Sequence, residues 1–136
     1  MRNTGGRRIA LLIGIALAAC NGGVAEPASC TGPVTIQVSA GAVPLVTWSP
    51  ACGVTTLVVV DPSSQFTPPL WTLTMVTRDI VPPVRFGSQP DGVLNFTLAP
   101  AESLTIGNSY TVYLTRGPGL RSSFGDRTDS LTFVAR

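Results

Sequence analysis

The sequence predicts a single all-β domain, a two-layer sandwich of seven or eight short strands behind an N-terminal leader. Three observations carry this expectation. Apolar residues recur with a period of two in short runs, the signature of strands with one buried face. The runs are separated by turn-forming residues, in a chain with 14 glycines and 12 prolines among 136 residues. Beyond the leader no window sustains a helical period. The length suits one domain, and 44% hydrophobic against 12% charged residues excludes a disordered, highly charged tail.

The leader comes first. Arg2, Arg7 and Arg8 precede eleven residues, Ile9 to Ala19, without a charge or a strongly polar group, and this basic-then-apolar order is that of a signal peptide. The stretch is too short for a permanent bilayer span, which needs about 20 residues. The Arg7-Arg8 pair reads as an ordinary basic n-region. Removing residues 1–19 takes away three of nine arginines and no acid, so six arginines face seven acids and the net charge falls from +2 to −1. The mature chain therefore offers no electrostatic case for a nucleic-acid partner.

The strands follow in order. Val34, Ile36 and Val38 alternate with Thr35 and Gln37, Ala40-Gly41-Ala42 interrupts, and Val43 to Trp48 resumes, which predicts a hairpin. Centred on Gly41, this hairpin would place Cys30 and Cys52 at equal distances from the turn, and in an exported chain that predicts a disulfide between them. Leu57 to Val60 reads as a strand buried on both faces, ended by Asp61-Pro62-Ser63-Ser64. Trp71, Leu73 and Met75 form the inner face of the next strand. Pro82-Pro83 lacks two backbone donors, so its segment is expected at an edge or crossing between sheets. Gln89-Pro90-Asp91-Gly92 is expected to turn a hairpin between Val84–Gly87 and Val93–Leu98, with Leu94, Phe96 and Leu98 sharing a face. Tyr110, Val112 and Leu114 share another face, and Leu131 with Phe133 closes the series.

Two resemblances add to this reading. Leu17-Ala18-Ala19-Cys20 resembles the lipobox of bacterial lipoproteins. It implies cleavage before Cys20, a diacylglyceryl group on its thiol, and a membrane partner reached through that anchor. Asn21, in place of an aspartate, favours the outer membrane of a two-membrane envelope. The chain then divides into a lipoprotein signal peptide (1–19), a lipidated N-terminus and short linker (20–29) and a β-sandwich (30–136). Val46-Thr47-Trp48-Ser49-Pro50 resembles the second strand of fibronectin type III domains. Leu104-x-x-Gly107-x-x-Tyr110-x-Val112 resembles the same family's corner between its fifth and sixth strands. The likeness implies an immunoglobulin-like sandwich in which Trp48 fills the core and the Tyr110 hydroxyl satisfies a backbone group. The disulfide, the Pro-rich crossing and the hairpin at Asp91-Gly92 depart from that family's pattern.

Chemistry is poorly provided for. The chain has no histidine, and all nine basic residues are arginines, so the many hydroxyls lack an obvious activating base and no cofactor or metal site is implied. Asp61, Asp79, Asp91, Glu102, Asp126 and Asp129 fit turns and strand ends better than a catalytic pair, and Asp126 with Asp129 supplies too few oxygens for calcium. The function expected is therefore a lipid-anchored binding or structural module of the cell envelope, not an enzyme, with an envelope protein or glycan as partner. A small carboxylate enzyme and a carbohydrate-binding module are the alternatives, the latter requiring exposed aromatics on one face. Trp71 reads as core and Tyr113, out of phase with Tyr110, as exposed. The stretch from Arg116 to Thr128 is expected to be a thirteen-residue loop whose Arg116, Arg121, Phe124 and Arg127 form a candidate binding loop at the anchored end.

Overall fold

The structure is a computed structural model that describes residues 27–63, 68–97, 102–117 and 127–136. All eight strands among these residues pair antiparallel, and no helix occurs among them. They are β1 (Thr35–Val38), β2 (Leu45–Ser49), β3 (Thr56–Val60), β4 (Trp71–Met75), β5 (Val84–Arg85), β6 (Val93–Asn95), β7 (Ser109–Arg116) and β8 (Arg127–Val134). One sheet has the order β1-β2-β5 and the other β6-β4-β3-β7-β8. The leader, with residues 1–19, lies outside the described residues.

Alternation explains the layers. Ile36, Val46, Trp48 and Val84 turn one face of the small sheet inward, and Leu57, Val59, Trp71, Leu73, Val112 and Leu114 do the same for the large sheet. Trp71 and Phe86 meet across the core edge to face, with ring centroids 5.2 Å apart, a geometry in which the positive ring edge meets the negative face.

The first hairpin forms, in a different register from the one expected. Thr35 faces Ser49 and Val38 faces Val46, so the pairing is centred on Ala42 and not on Gly41. The reason is local. Ser39 closes the loop by a backbone bond to the Leu45 carbonyl and by accepting the Leu45 N–H on its hydroxyl, which leaves five residues in the turn. Gly41 takes φ +117° within it, and its N–H reaches the Arg136 carbonyl.

Cys30 and Cys52 are nevertheless bonded, with Cα atoms 4.9 Å apart. They are not a cross-strand pair of the hairpin. The segment before β1 instead runs beside Gly53 in a parallel bridge at Ser29, where Cys30 N–H donates to the Gly53 carbonyl and Gly53 N–H to that of Ala28.

The hairpin expected at Asp91-Gly92 does not form, because β5 and β6 belong to different sheets. The turn chemistry itself is as read: Gly92 has φ +76° and its carbonyl accepts from Val76 and Thr77. The flanks diverge because β5 is only two residues long and Gly87, at φ +79°, redirects the chain after Phe86 is buried. Pro82-Pro83 lies, as expected, where the chain crosses from β4 to β5 and so changes sheet.

Candidate functional site

The two ends of the sandwich and the outward face of the large sheet hold the chemistry-bearing residues. At one end the chain enters. Pro27–Cys30, Cys52–Gly53, the ends of β4 and β7 and the start of β8 gather there through the Gly53 bonds, the Val54–Ile80 bridge and the Thr55 N–H to Thr115 carbonyl bond. Trp48 Nε1–H donates to the Cys52 carbonyl at 2.8 Å, so the core indole braces the disulfide loop. Ser29 Oγ donates to Asp79 at the same end.

Here the structure corrects the candidate loop. Arg116 is the last residue of β7, not of a loop, and its side chain is only 5% exposed. Its parity in β7 is that of Tyr110, Val112 and Leu114, which turns it inward. Nε donates to Asp129 Oδ2 at 2.6 Å, and that oxygen also accepts the Val34 N–H at 3.4 Å. The pairing takes Asp129 out of any carboxylate or calcium site. Arg127 opens β8 opposite Arg116, while Arg121, Phe124, Asp126 and Cys20 lie outside the described residues.

The opposite end holds the tyrosine corner. Thr105 N–H donates to the Tyr110 hydroxyl at 2.9 Å, and the hydroxyl faces the Thr105 carbonyl at 3.4 Å. Leu104 is buried beneath it, its N–H bonded to the Ala42 carbonyl, and Gly107 turns with φ +91° as its N–H meets the Ala135 carbonyl. Trp48, Leu104, Tyr110 and Val112 are all buried, as the sequence motifs lead one to expect. Gly107 is exposed and serves the turn.

The remaining carboxylates are scattered. Asp61 accepts from both the N–H and the hydroxyl of Ser63, and these bonds hold its carboxyl below the usual range. Asp91 and Glu102 are exposed in connections. Among the described residues no three His, Cys, Asp or Glu side chains gather where they could hold a metal.

The outward face of the large sheet is what sequence reasoning missed. Among the described residues its two exposed aromatics are Phe96, 59% exposed, and Tyr113, 38% exposed. Register places them in one row: Phe96 N–H bonds the Thr72 carbonyl, Thr72 faces Val58, and Val58 faces Tyr113. The neighbouring row is a run of hydroxyls, Thr74, Thr56, Thr115 and Thr128, beside Leu94 at the edge. Leu94 and Phe96 do share a face, but it is the outer one, because Val93 takes the buried position in β6. The exposure of Tyr113 was legible from its phase. That of Phe96 could have been found by letting Val93, rather than the bulkier pair, set the phase.

No protein-family model, curated protein or solved structure matches this chain.

Proposed function

We propose that the chain is a bacterial envelope lipoprotein, anchored through Cys20, whose immunoglobulin-like sandwich of the fibronectin type III kind serves as a binding module and not as an enzyme. The fold assignment draws on strand order. The first, second and fifth strands make one sheet, and the third, seventh and eighth are consecutive neighbours in the other, the division used by immunoglobulin-type sandwiches. The tyrosine corner at Tyr110 adds a second feature of that architecture.

The observation that carries the anchoring proposal is how few residues separate Cys20 from the tied-down start of the sandwich. Ala28 is already bonded to Gly53, and Cys30 is covalently tied to Cys52. The seven steps from Cys20 to Pro27 span at most about 25 Å when extended. A lipidated Cys20 would thus hold the entry end of the sandwich close to the bilayer and leave the sheet faces standing away from it. One acyl-bearing residue on a short tether gives attachment without a membrane span.

The test is mass spectrometry of the membrane fraction. A mature chain beginning at diacylglyceryl-Cys20, and transfer of the Cys20→Ala variant out of that fraction, are the expected results. An unmodified Cys20, or a mature N-terminus elsewhere, would overturn the proposal.

A further inference from the structure

We propose that the outward face of the five-stranded sheet binds a neutral, extended polysaccharide, with Phe96 and Tyr113 as its two stacking platforms. The inference rests on the reading of the sandwich as a binding module and names the ligand class and the face.

Charge is the first argument. Soluble protein surfaces ordinarily carry roughly a quarter to a third charged residues. Among the described residues, every outward position of this face on β3, β4, β6, β7 and β8 is Thr, Ser, Val, Leu or an aromatic. The charges sit elsewhere: Asp61, Asp91 and Glu102 in turns and connections, Arg78 and Asp79 in the crossing, Arg85 on the other sheet, Arg127 at the register position opposite Arg116, Arg136 beyond β8, and Arg116 with Asp129 turned inward. An anionic or cationic polymer would find no counter-charge on this face, whereas a neutral one loses nothing by lying there.

Shape and spacing are the second. Phe96 and Tyr113 are separated by three strand-to-strand steps, roughly 14 Å at the usual sheet spacing. Between them lie Thr72 and Val58, and beyond Tyr113 the row ends at Ser130 in β8, so the surface is a shelf with two aromatics spaced along one row. The apolar faces of sugar rings stack on such rings, and their hydroxyls exchange hydrogen bonds with threonine hydroxyls. One pair of the hydroxyl row, Thr115 and Thr128, is already oriented by its own hydroxyl contact at 3.4 Å. A rigid ligand meeting prearranged groups loses less freedom on binding. A protein partner fits less well: interface hot spots favour Trp, Tyr and Arg in a desolvated centre, and threonine and valine are under-represented there. The centre of this face is Val58, between Thr72 and Tyr113 across the strands and between Thr56 and Val60 along its own.

The experiment is retention of the purified full-length protein on microcrystalline cellulose, chitin and an insoluble β-1,3-glucan, with alginate beads as the anionic comparison. Retention on at least one neutral polymer and not on alginate is expected. Phe96→Ala and Tyr113→Ala should each weaken retention about ten-fold, the size of one lost aromatic contact. Phe96→Trp should keep it, and Arg85→Glu on the other sheet should leave it unchanged. Absence of retention on all three neutral polymers, equal retention on alginate, or alanine variants that are folded by circular dichroism and bind as wild type would each overturn the proposal. The two readings are tested apart: an unmodified Cys20 in the wild-type chain would overturn the anchor, while unchanged glycan retention by the Cys20→Ala variant would leave this face assigned.

Discussion

Arg116 Nε lies 2.6 Å from Asp129 Oδ2 inside the entry end of the sandwich, joining the last turn-in of β7 to its partner strand β8. Both groups are largely out of water, and Arg116 Nη1 is buried without a hydrogen-bond partner among the described residues. Removing one member strands a charge, and for buried pairs that costs about 3–5 kcal/mol. Asp129 retains 19% exposure, which places its loss toward the lower figure. Asp129→Ala is therefore expected to cost about 3 kcal/mol. The Arg116→Met, Asp129→Leu double variant should regain most of that, because neither charge is left behind and the orphaned Nη1 goes too. Urea denaturation of the wild type and the two variants measures it; a double variant as unstable as the single would refute the pairing as the source.

The tyrosine corner predicts a smaller effect at the other end. Tyr110→Phe keeps the ring in the core and deletes the acceptor of the Thr105 N–H. A loss of about 1 kcal/mol is expected, the usual net worth of one such bond. Glycan retention should not change, since the corner is remote from the outward face. Chemical denaturation and the retention assay together check both halves.

Reduction of the Cys30–Cys52 bridge should cost about 3 kcal/mol, because it frees a loop of this length in the unfolded chain. A non-reducing peptide map should recover the two cysteines in one linked fragment. Free thiols at both positions in protein made in an oxidising compartment would contradict it.

Two glycines separate space from backbone freedom. A Cβ on Gly53 would overlap the Cβ of Asp79, which the nearby Val54–Ile80 bridge holds in place. A Cβ on Gly32 would meet nothing within 4 Å. Gly53→Ala is thus expected to destabilise by about 1–3 kcal/mol, as overpacking does, and Gly32→Ala to be close to neutral. Melting temperatures of the two variants suffice to compare them.

The parts of the fold legible from residues alone were those governed by local periodicity and by motifs with a stereochemical purpose. The inward faces of β1, β2, β4 and β7 follow from alternation, and the Tyr110 corner from the resemblance of Leu104, Gly107 and Tyr110 to a family motif. What failed needed tertiary information. The hairpin register depended on the Ser39 hydroxyl taking the Leu45 N–H, a choice that periodicity does not encode. A turn sequence at Asp91-Gly92 fixed the bend without saying whether its flanks would pair, and a two-residue β5 let them part. Arg116 was read by its charge as solvent-facing, whereas its phase with Tyr110, Val112 and Leu114 already pointed inward. The outward aromatic row was hidden for a related reason. In β6 the larger hydrophobic residues are outside and the smaller Val93 is inside, so hydrophobicity alone selects the wrong face.

The Trp48 indole and the Cys52 carbonyl are hydrogen-bonded, whereas Trp71, fully buried against Phe86, has an indole N–H without a partner among the described residues. The two tryptophans thus sit in unlike dielectric surroundings, and only one touches the disulfide loop. Emission from this protein is expected to carry two components: a blue one from Trp71 that tracks the integrity of the fold, and a second from Trp48 that shifts when the bridge opens. A Trp71→Phe variant would leave a single tryptophan, selectively excited above the tyrosines, that reads thiol redox state without any added label.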